Sequence, residues 1–297
     1  MSGTTAAVPF WRQTMRGFSQ CAFQSNEITG AMFILAAAVS HWRMGAFFAI
    51  SVVLGTLTAR LLRGNRDLLD LGLFGFNSGL MGLALGNFFE PEAALWLWVI
   101  GFAIITAAVS VLMARILPFP FLAAPFILTF WGVWYFADGF HLAKVDFGDF
   151  ADNPVLWGEA ILSTFGAALF AANPLSGAIL LAGILVSNWR HAVVAVLGAL
   201  TATALAAHGG AAGDAINLGF AGFNGVLAAL AVYALIAPDL RLVALASVLA
   251  TWLFSFVNRS GSVPVLASGF VLAIWIILLL GRVSPWFAGE RRAITSS

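Results

Sequence analysis

Charge is scarce in this chain: Asp, Glu, Lys and Arg make up 9% of 297 residues, whereas 61% are hydrophobic. That balance excludes an ordinary soluble domain, because one core cannot bury so many apolar side chains and the surplus has to face lipid. Cysteine is scarcer still, with Cys21 standing alone. An intrachain disulfide is therefore excluded, and nothing in the sequence gives the thiol a redox partner. Also missing are metal-ligand spacing such as H-E-x-x-H, a G-x-S-x-G elbow and a G-x-x-x-x-G-K-[ST] phosphate loop. No enzymatic activity, metal, cofactor or nucleic-acid partner is expected. The segment Met1 to Pro9 lacks a basic n-region and a cleavage site, so no signal peptide is read there and the first helix is expected to stay.

What the chain does have is long apolar runs. Ala93 to Ala114 and Ile116 to Ala137 are each 22 residues without a charge, and about 20 residues cross a bilayer as helix. Further charge-free stretches cover Ala160 to Trp189, Ala215 to Pro238 and Ser260 to Gly281, with shorter ones at Ile28 to Ser40 and Met44 to Ala59. These runs are apolar on every face, which does not fit the alternating strands of a β-barrel. The pattern predicts an all-α integral membrane protein of about ten spans. Arg12 and Arg16 precede the first span and Arg60, Arg63 and Arg66 follow the second, which places both groups in the cytoplasm. Five spans from there, the polar stretch from Asp138 to Asp152 falls outside.

The chain repeats itself. Residues 26 to 30 read NEITG and residues 173 to 177 read NPLSG; residues 72 to 80 read GLFGFNSGL and residues 219 to 227 read GFAGFNGVL. Both pairs are offset by 147, while PFLAAPF from Pro120 and PVLASGF from Pro264 are offset by 144, which a three-residue deletion explains. Three segments in one order at nearly one offset point to duplication. The predicted division is a first repeat over 1–137, an acidic extracytoplasmic linker over 138–154 and a second repeat over 155–297. With five spans each, an odd number, the second copy inserts upside down, around a pseudo-two-fold axis in the membrane plane. In each copy the glycine-rich GLFGFN or GFAGFN weakens continuous helix, so a re-entrant pore helix with a break is expected there. Irregular backbone at that depth is tolerated only inside protein or along a cavity.

The order RGFSQCAFQSN, GLFGFNSGLMG, LPFPFLAAPF, NPLSG, GFAGFNGVLA, PVLASGF resembles the urea transporter family over nearly the whole chain. The resemblance implies a homotrimeric channel with one pore per subunit and a re-entrant pore helix in each half; the expected location is the cell (inner) membrane, where the arginine pattern puts both termini in the cytoplasm. It implies passive conduction of urea or a similar small neutral amide through a phenylalanine-lined slot flanked by hydrogen-bond acceptors. Urea is flat, neutral and strongly hydrated, so a dry slot costs it on the order of several kcal/mol unless acceptors replace the lost water. An ion would lose far more.

By the same resemblance Gln20 is the polar residue at one mouth, and Phe23, three residues on, shares its helical face. The slot phenylalanines match Phe76, Phe220 and Phe223. Repeat symmetry adds Phe170, equivalent to Phe23, and Leu73, equivalent to Phe220. The constriction positions read Ala123 and Ala267 where the family usually has Thr, and Ala167 stands where Gln20's counterpart would be Gln or Glu. A competing reading makes the chain an ion- or proton-coupled carrier using Glu27 or Glu159, although both sit beside predicted helix starts, where a carboxylate suits the dipole. His41, His141, His191 and His208 fall near predicted loop ends, without the spacing of a paired pore histidine. An aquaporin-like channel would need two Asn-Pro-Ala boxes, and only Asn173-Pro174 occurs, followed by Leu175.

Overall fold

The computed structural model describes residues 8–259, 261, 263–284 and 287. The reading of the N-terminal segment as uncleaved falls mainly on residues 1–7, outside the described residues.

Long helices alternate with short, interrupted ones. Four described helices are long and apolar enough to cross a bilayer: α3 (Trp42–Leu61), α6 (Ala93–Ile116), α10 (Trp189–His208) and α13 (Leu240–Asn258). Around them lie α1 (Phe10–Ser19), α2 (Glu27–Ser40), α4 (Arg66–Asp70), α5 (Gly75–Phe88) and α7 (Ala124–Tyr135). Their counterparts are α8 (Trp157–Ala167), α9 (Pro174–Ser187), α11 (Gly213–Asn217), α12 (Phe223–Ala231) and α14 (Ser268–Leu280). Helix α12 runs on through a π-helical turn, Val232–Ile236. The chain is that of a multi-pass membrane protein.

Corresponding elements keep the register of the repeated motifs. Helices α2, α3, α4 and α6 begin at Glu27, Trp42, Arg66 and Ala93, and α9, α10, α11 and α13 begin 147 residues later at Pro174, Trp189, Gly213 and Leu240. Helices α7 and α14 begin 144 apart, at Ala124 and Ser268, so the three-residue shortfall lies between Leu240 and Ser268. Local chemistry repeats as well. Asn26 Oδ1 accepts the Thr29 N–H at 2.9 Å and Asn173 Oδ1 accepts the Ser176 N–H at 2.8 Å, each capping the start of its helix.

Bonds between the halves are reciprocal. Thr29 Oγ1 donates to the Gly183 carbonyl and Ser176 Oγ to the Ala36 carbonyl, both at 2.8 Å. Trp131 Nε1 donates to Pro264 O at 2.8 Å, and Trp275 Nε1 to Pro120 O at 3.0 Å. Each pair exchanges donor and acceptor between equivalent positions, as an isologous contact does.

Several runs read from hydropathy as single spans are broken, which corrects the sequence reading. Beyond Ile116, which ends α6, the run to Ala137 becomes helical again only at Ala124, after Leu122 turns at φ 51°, and Ala160 to Trp189 is interrupted at Phe170, φ 56°. The helix in Ser260 to Gly281 begins only at Ser268, whereas the interruption of Ala215 to Pro238 at Gly219, φ 78°, falls in the GFAGFN segment where a break is expected. The breaks stay apolar, so hydropathy does not register them. Phe23 and Leu266, both with positive φ, join Leu122 and Phe170 as four of the six non-glycine left-handed residues among the described residues, Arg63 and His141 being the others. Such residues cost on the order of 1–3 kcal/mol each and persist where the surroundings hold them.

Candidate functional site: an aromatic slot between the halves

Of these four left-handed residues, Phe23 and Phe170 follow helix ends, while Leu122 and Leu266 lead into the starts of α7 and α14. Phe23 closes the short 3-10 turn after α1, and Phe170 follows α8 in the same way. Helices α5 and α12 start beside them with Gly75 and Phe223, and α7 and α14 with Ala124 and Ser268. Ala123 and Ala267 occupy the positions preceding α7 and α14, and neither offers a side-chain cap.

The missing caps come from other helices. Asn77 of α5 accepts the Phe126 N–H on Oδ1 at 3.2 Å and donates from Nδ2 to Leu122 O at 3.0 Å. Asn224 of α12 does the same for Phe270 N–H at 2.8 Å and Leu266 O at 3.0 Å. The Asn of each Gly-Phe-Asn thus fixes the left-handed turn and first helical turn of the third repeated segment. Asn224→Ala would leave a buried N–H and a buried carbonyl without this partner, each worth about 1–3 kcal/mol. A clear fall in melting temperature in detergent is expected, and wild-type melting would contradict this role.

Where the half-helices meet, the chain encloses a cavity of about 30 Å³ lined by Gln20, Phe23, Phe76, Phe126, Ala123, Ala167, Phe170, Phe223, Ala267 and Phe270 among others. That volume holds only one or two water-sized groups. Its aromatic walls cross between halves: Phe23 meets Phe270 edge-on at 6.0 Å, and Phe170 meets Phe126 edge-on at 6.2 Å. These two contacts exchange under the repeat register. Gln20 spends its Nε2 on Ser25 Oγ at 2.7 Å and Leu71 O at 2.8 Å, which leaves Oε1 to accept.

A wider vestibule of about 590 Å³ adjoins the slot and shares Ala167, Phe170 and Phe223 with it. Phe147 and Phe150, between α7 and α8, line it, with Phe150 set against Phe220 at 5.8 Å.

Of the residues singled out from sequence, Gln20, Phe23, Phe76, Phe170, Phe223, Ala123, Ala167 and Ala267 lie around the slot. Phe220 lies in the vestibule instead, and Leu73 lines neither cavity but packs against the core. Phe126 and Phe270 were missed, although they end the third repeated segment. Cys21, Leu80, Leu122 and Leu227 also line the slot; they lie within the quoted motifs, but nothing in their residue types singles them out there. Glu27 is held by Arg12 at 2.7 Å and Arg16 at 3.1 Å, and Glu159 is exposed in the first turn of α8. Neither lines the slot or the vestibule. Among the described residues, no group of His, Cys, Asp and Glu could hold a metal ion.

The comparisons with known proteins agree on one family. The family model described as UT, urea transporter, matches residues 11–149 and 158–296, stretches whose starts are 147 apart. A protein named urea transporter 1 from Rattus norvegicus is 26% identical over 298 residues, covering 91% of this chain and 77% of the relative. The Mus musculus protein of that name is 26% identical over 299 residues, with the same coverage. The Ovis aries protein is 30% identical over 90 residues, 30% of this chain and 23% of the relative.

Proposed function

This chain belongs to the urea transporter family, and on that premise we propose that it passes urea or a similar small neutral amide passively through the slot between its halves. The family is one of transporters, not enzymes, and membership supports urea transport. The observation that carries the finer reading is the crossed aromatic pairing, Phe23 with Phe270 and Phe126 with Phe170. Ring faces and edges admit a flat, uncharged solute. Gln20 Oε1 and the carbonyls left free where helices end are the acceptors for its N–H groups. Contacts of this kind suffice for entry and are too weak to trap the solute.

The division into 1–137, linker 138–154 and 155–297, with the second half inverted, fits the reciprocal bonds of Thr29 with Gly183 and Ser176 with Ala36. An axis in the membrane plane would carry one half onto the other. The homotrimer belongs to the proposal by likeness to the family, and the inner membrane and cytoplasmic termini belong to it as well.

The test is flux into sealed proteoliposomes under a solute gradient alone. Urea or acetamide is expected to enter well above protein-free vesicles, and a protonophore should leave the rate unchanged. Flux that disappears with the proton gradient would turn the protein into a coupled carrier and return attention to Glu27 and Glu159. The present geometry disfavours that outcome, because Glu27 is already paired with two arginines.

A further inference from the structure

The slot is symmetric in its rings and asymmetric in its hydrogen bonding. Phe23 and Phe170, Phe76 and Phe223, Ala123 and Ala267, and Phe126 and Phe270 line it as equivalent pairs. Gln20 does not fit the pattern, since its equivalent 147 residues on is Ala167, which lines the same cavity. Cys21 likewise faces Ala168 across the register, but a thiol is a weak hydrogen-bonding group. Among the described residues, Gln20 is therefore the one strong side-chain hydrogen-bonding group in the lining.

The loss in the second half is coordinated. Ser25, whose hydroxyl accepts from the Gln20 amide at 2.7 Å, is matched by Ala172, so the glutamine and its support are replaced together. Only the second partner has a counterpart, the Leu71 carbonyl being matched by that of Leu218. Ala167, unlike Gln20, is shared with the vestibule, so the methyl end of the slot is the end that opens there.

Two unlike ends suit a solute with two unlike ends. Urea carries an NH2 group on both sides of its carbonyl, and at the vestibule end one of them meets methyl groups and phenyl rings with no side-chain acceptor. An amide that replaces one NH2 by a methyl, or covers it with one, loses less hydration there and still offers N–H groups to Gln20 Oε1. We propose that the slot favours small amides bearing one apolar substituent, such as acetamide and N-methylurea, over urea itself. This rests on the channel reading above, and it makes Ala167 with Ala172 the positions that set solute preference.

The experiment is stopped-flow flux of urea, acetamide and N-methylurea into proteoliposomes, each corrected for protein-free vesicles. Acetamide and N-methylurea are expected to pass about 3- to 10-fold faster than urea, the factor for one missing hydrogen bond. N-methylurea is larger than urea, so a plain size sieve gives the opposite order. The Ala167→Gln, Ala172→Ser variant should bring the acetamide-to-urea ratio back towards one. Urea passing as fast as or faster than both substituted amides in the wild type overturns the preference while leaving a passive channel in place. An unchanged ratio in a folded double variant overturns the assignment to these positions. No flux of any of the three above protein-free vesicles overturns the channel reading and the preference together.

Discussion

Gly177→Ala and Gly30→Ala are expected to prevent the protein from folding, or to leave it aggregated on extraction. A methyl at Gly177 would sit 1.8 Å from the Leu162 carbonyl oxygen, and at Gly30 it would sit 2.1 Å from the Met15 carbonyl oxygen. Met15 and Leu162 are themselves equivalent by 147, so both halves use the glycine for the same purpose, letting α2 lie on α1 and α9 on α8. The obstacle is backbone rather than a side chain that can turn away, so relief requires moving a whole helix. Overpacking in cores costs about 1–3 kcal/mol when side chains can shift, and here the cost should exceed that range. Gly132→Ala is the matched control, because a methyl there has nothing within 4 Å. Fluorescence-detected size exclusion in detergent reads the result: a monodisperse peak for the Gly132 variant and none for the other two. A Gly177→Ala protein melting within a few degrees of the wild type would contradict the helix approach described here.

Ala267→Trp should produce the largest effect on transport. Ala267 is buried in the wall of a cavity of about 30 Å³ that Phe270 and Ala123 also line. An indole is larger than that cavity, so solute entry should fall to the level of protein-free vesicles. Ala123→Trp should act alike, since it fills the slot from the other half. Exposed Leu279 on α14, the helix that Ala267 precedes, tests specificity: Leu279→Trp should leave flux and melting temperature near wild type. Wild-type flux through a folded Ala267→Trp protein would mean that the solute takes another route.

Much of this arrangement was legible in the sequence because duplication amplifies weak signals. One Asn-Pro or one Gly-Phe-Asn says little, but NEITG and NPLSG at 147 anticipate the capped starts of α2 and α9 and the glycine contacts beneath them. The same register located Phe23 and Phe170 together. What sequence did not disclose was backbone conformation. Leu122 and Leu266 adopt positive φ at 51° and 53° without being glycine, and no propensity scale marks a leucine for that role. They hold it because Asn77 and Asn224, far away in sequence, bind their carbonyls. Runs such as Ile116 to Ala137 consequently looked like spans. Phe126 and Phe270 escaped notice for another reason: with 27 phenylalanines in the chain, the end of a repeated segment served as an alignment mark rather than as a candidate wall. Phe220 shows the limit of motif register, since it shares a segment with Phe223 yet lies in the vestibule.

The central claim is that solute occupies the slot where the two halves cross. Its most direct measurement is an anomalous diffraction map of crystals soaked in selenourea, which keeps the planar, neutral shape of urea and carries a heavy scatterer. The expected result is a selenium peak between the Phe23–Phe270 and Phe126–Phe170 pairs, lost in Ala267→Trp crystals. A peak confined to lipid-facing crevices or to the outer vestibule, with the slot empty at saturating selenourea, would contradict it.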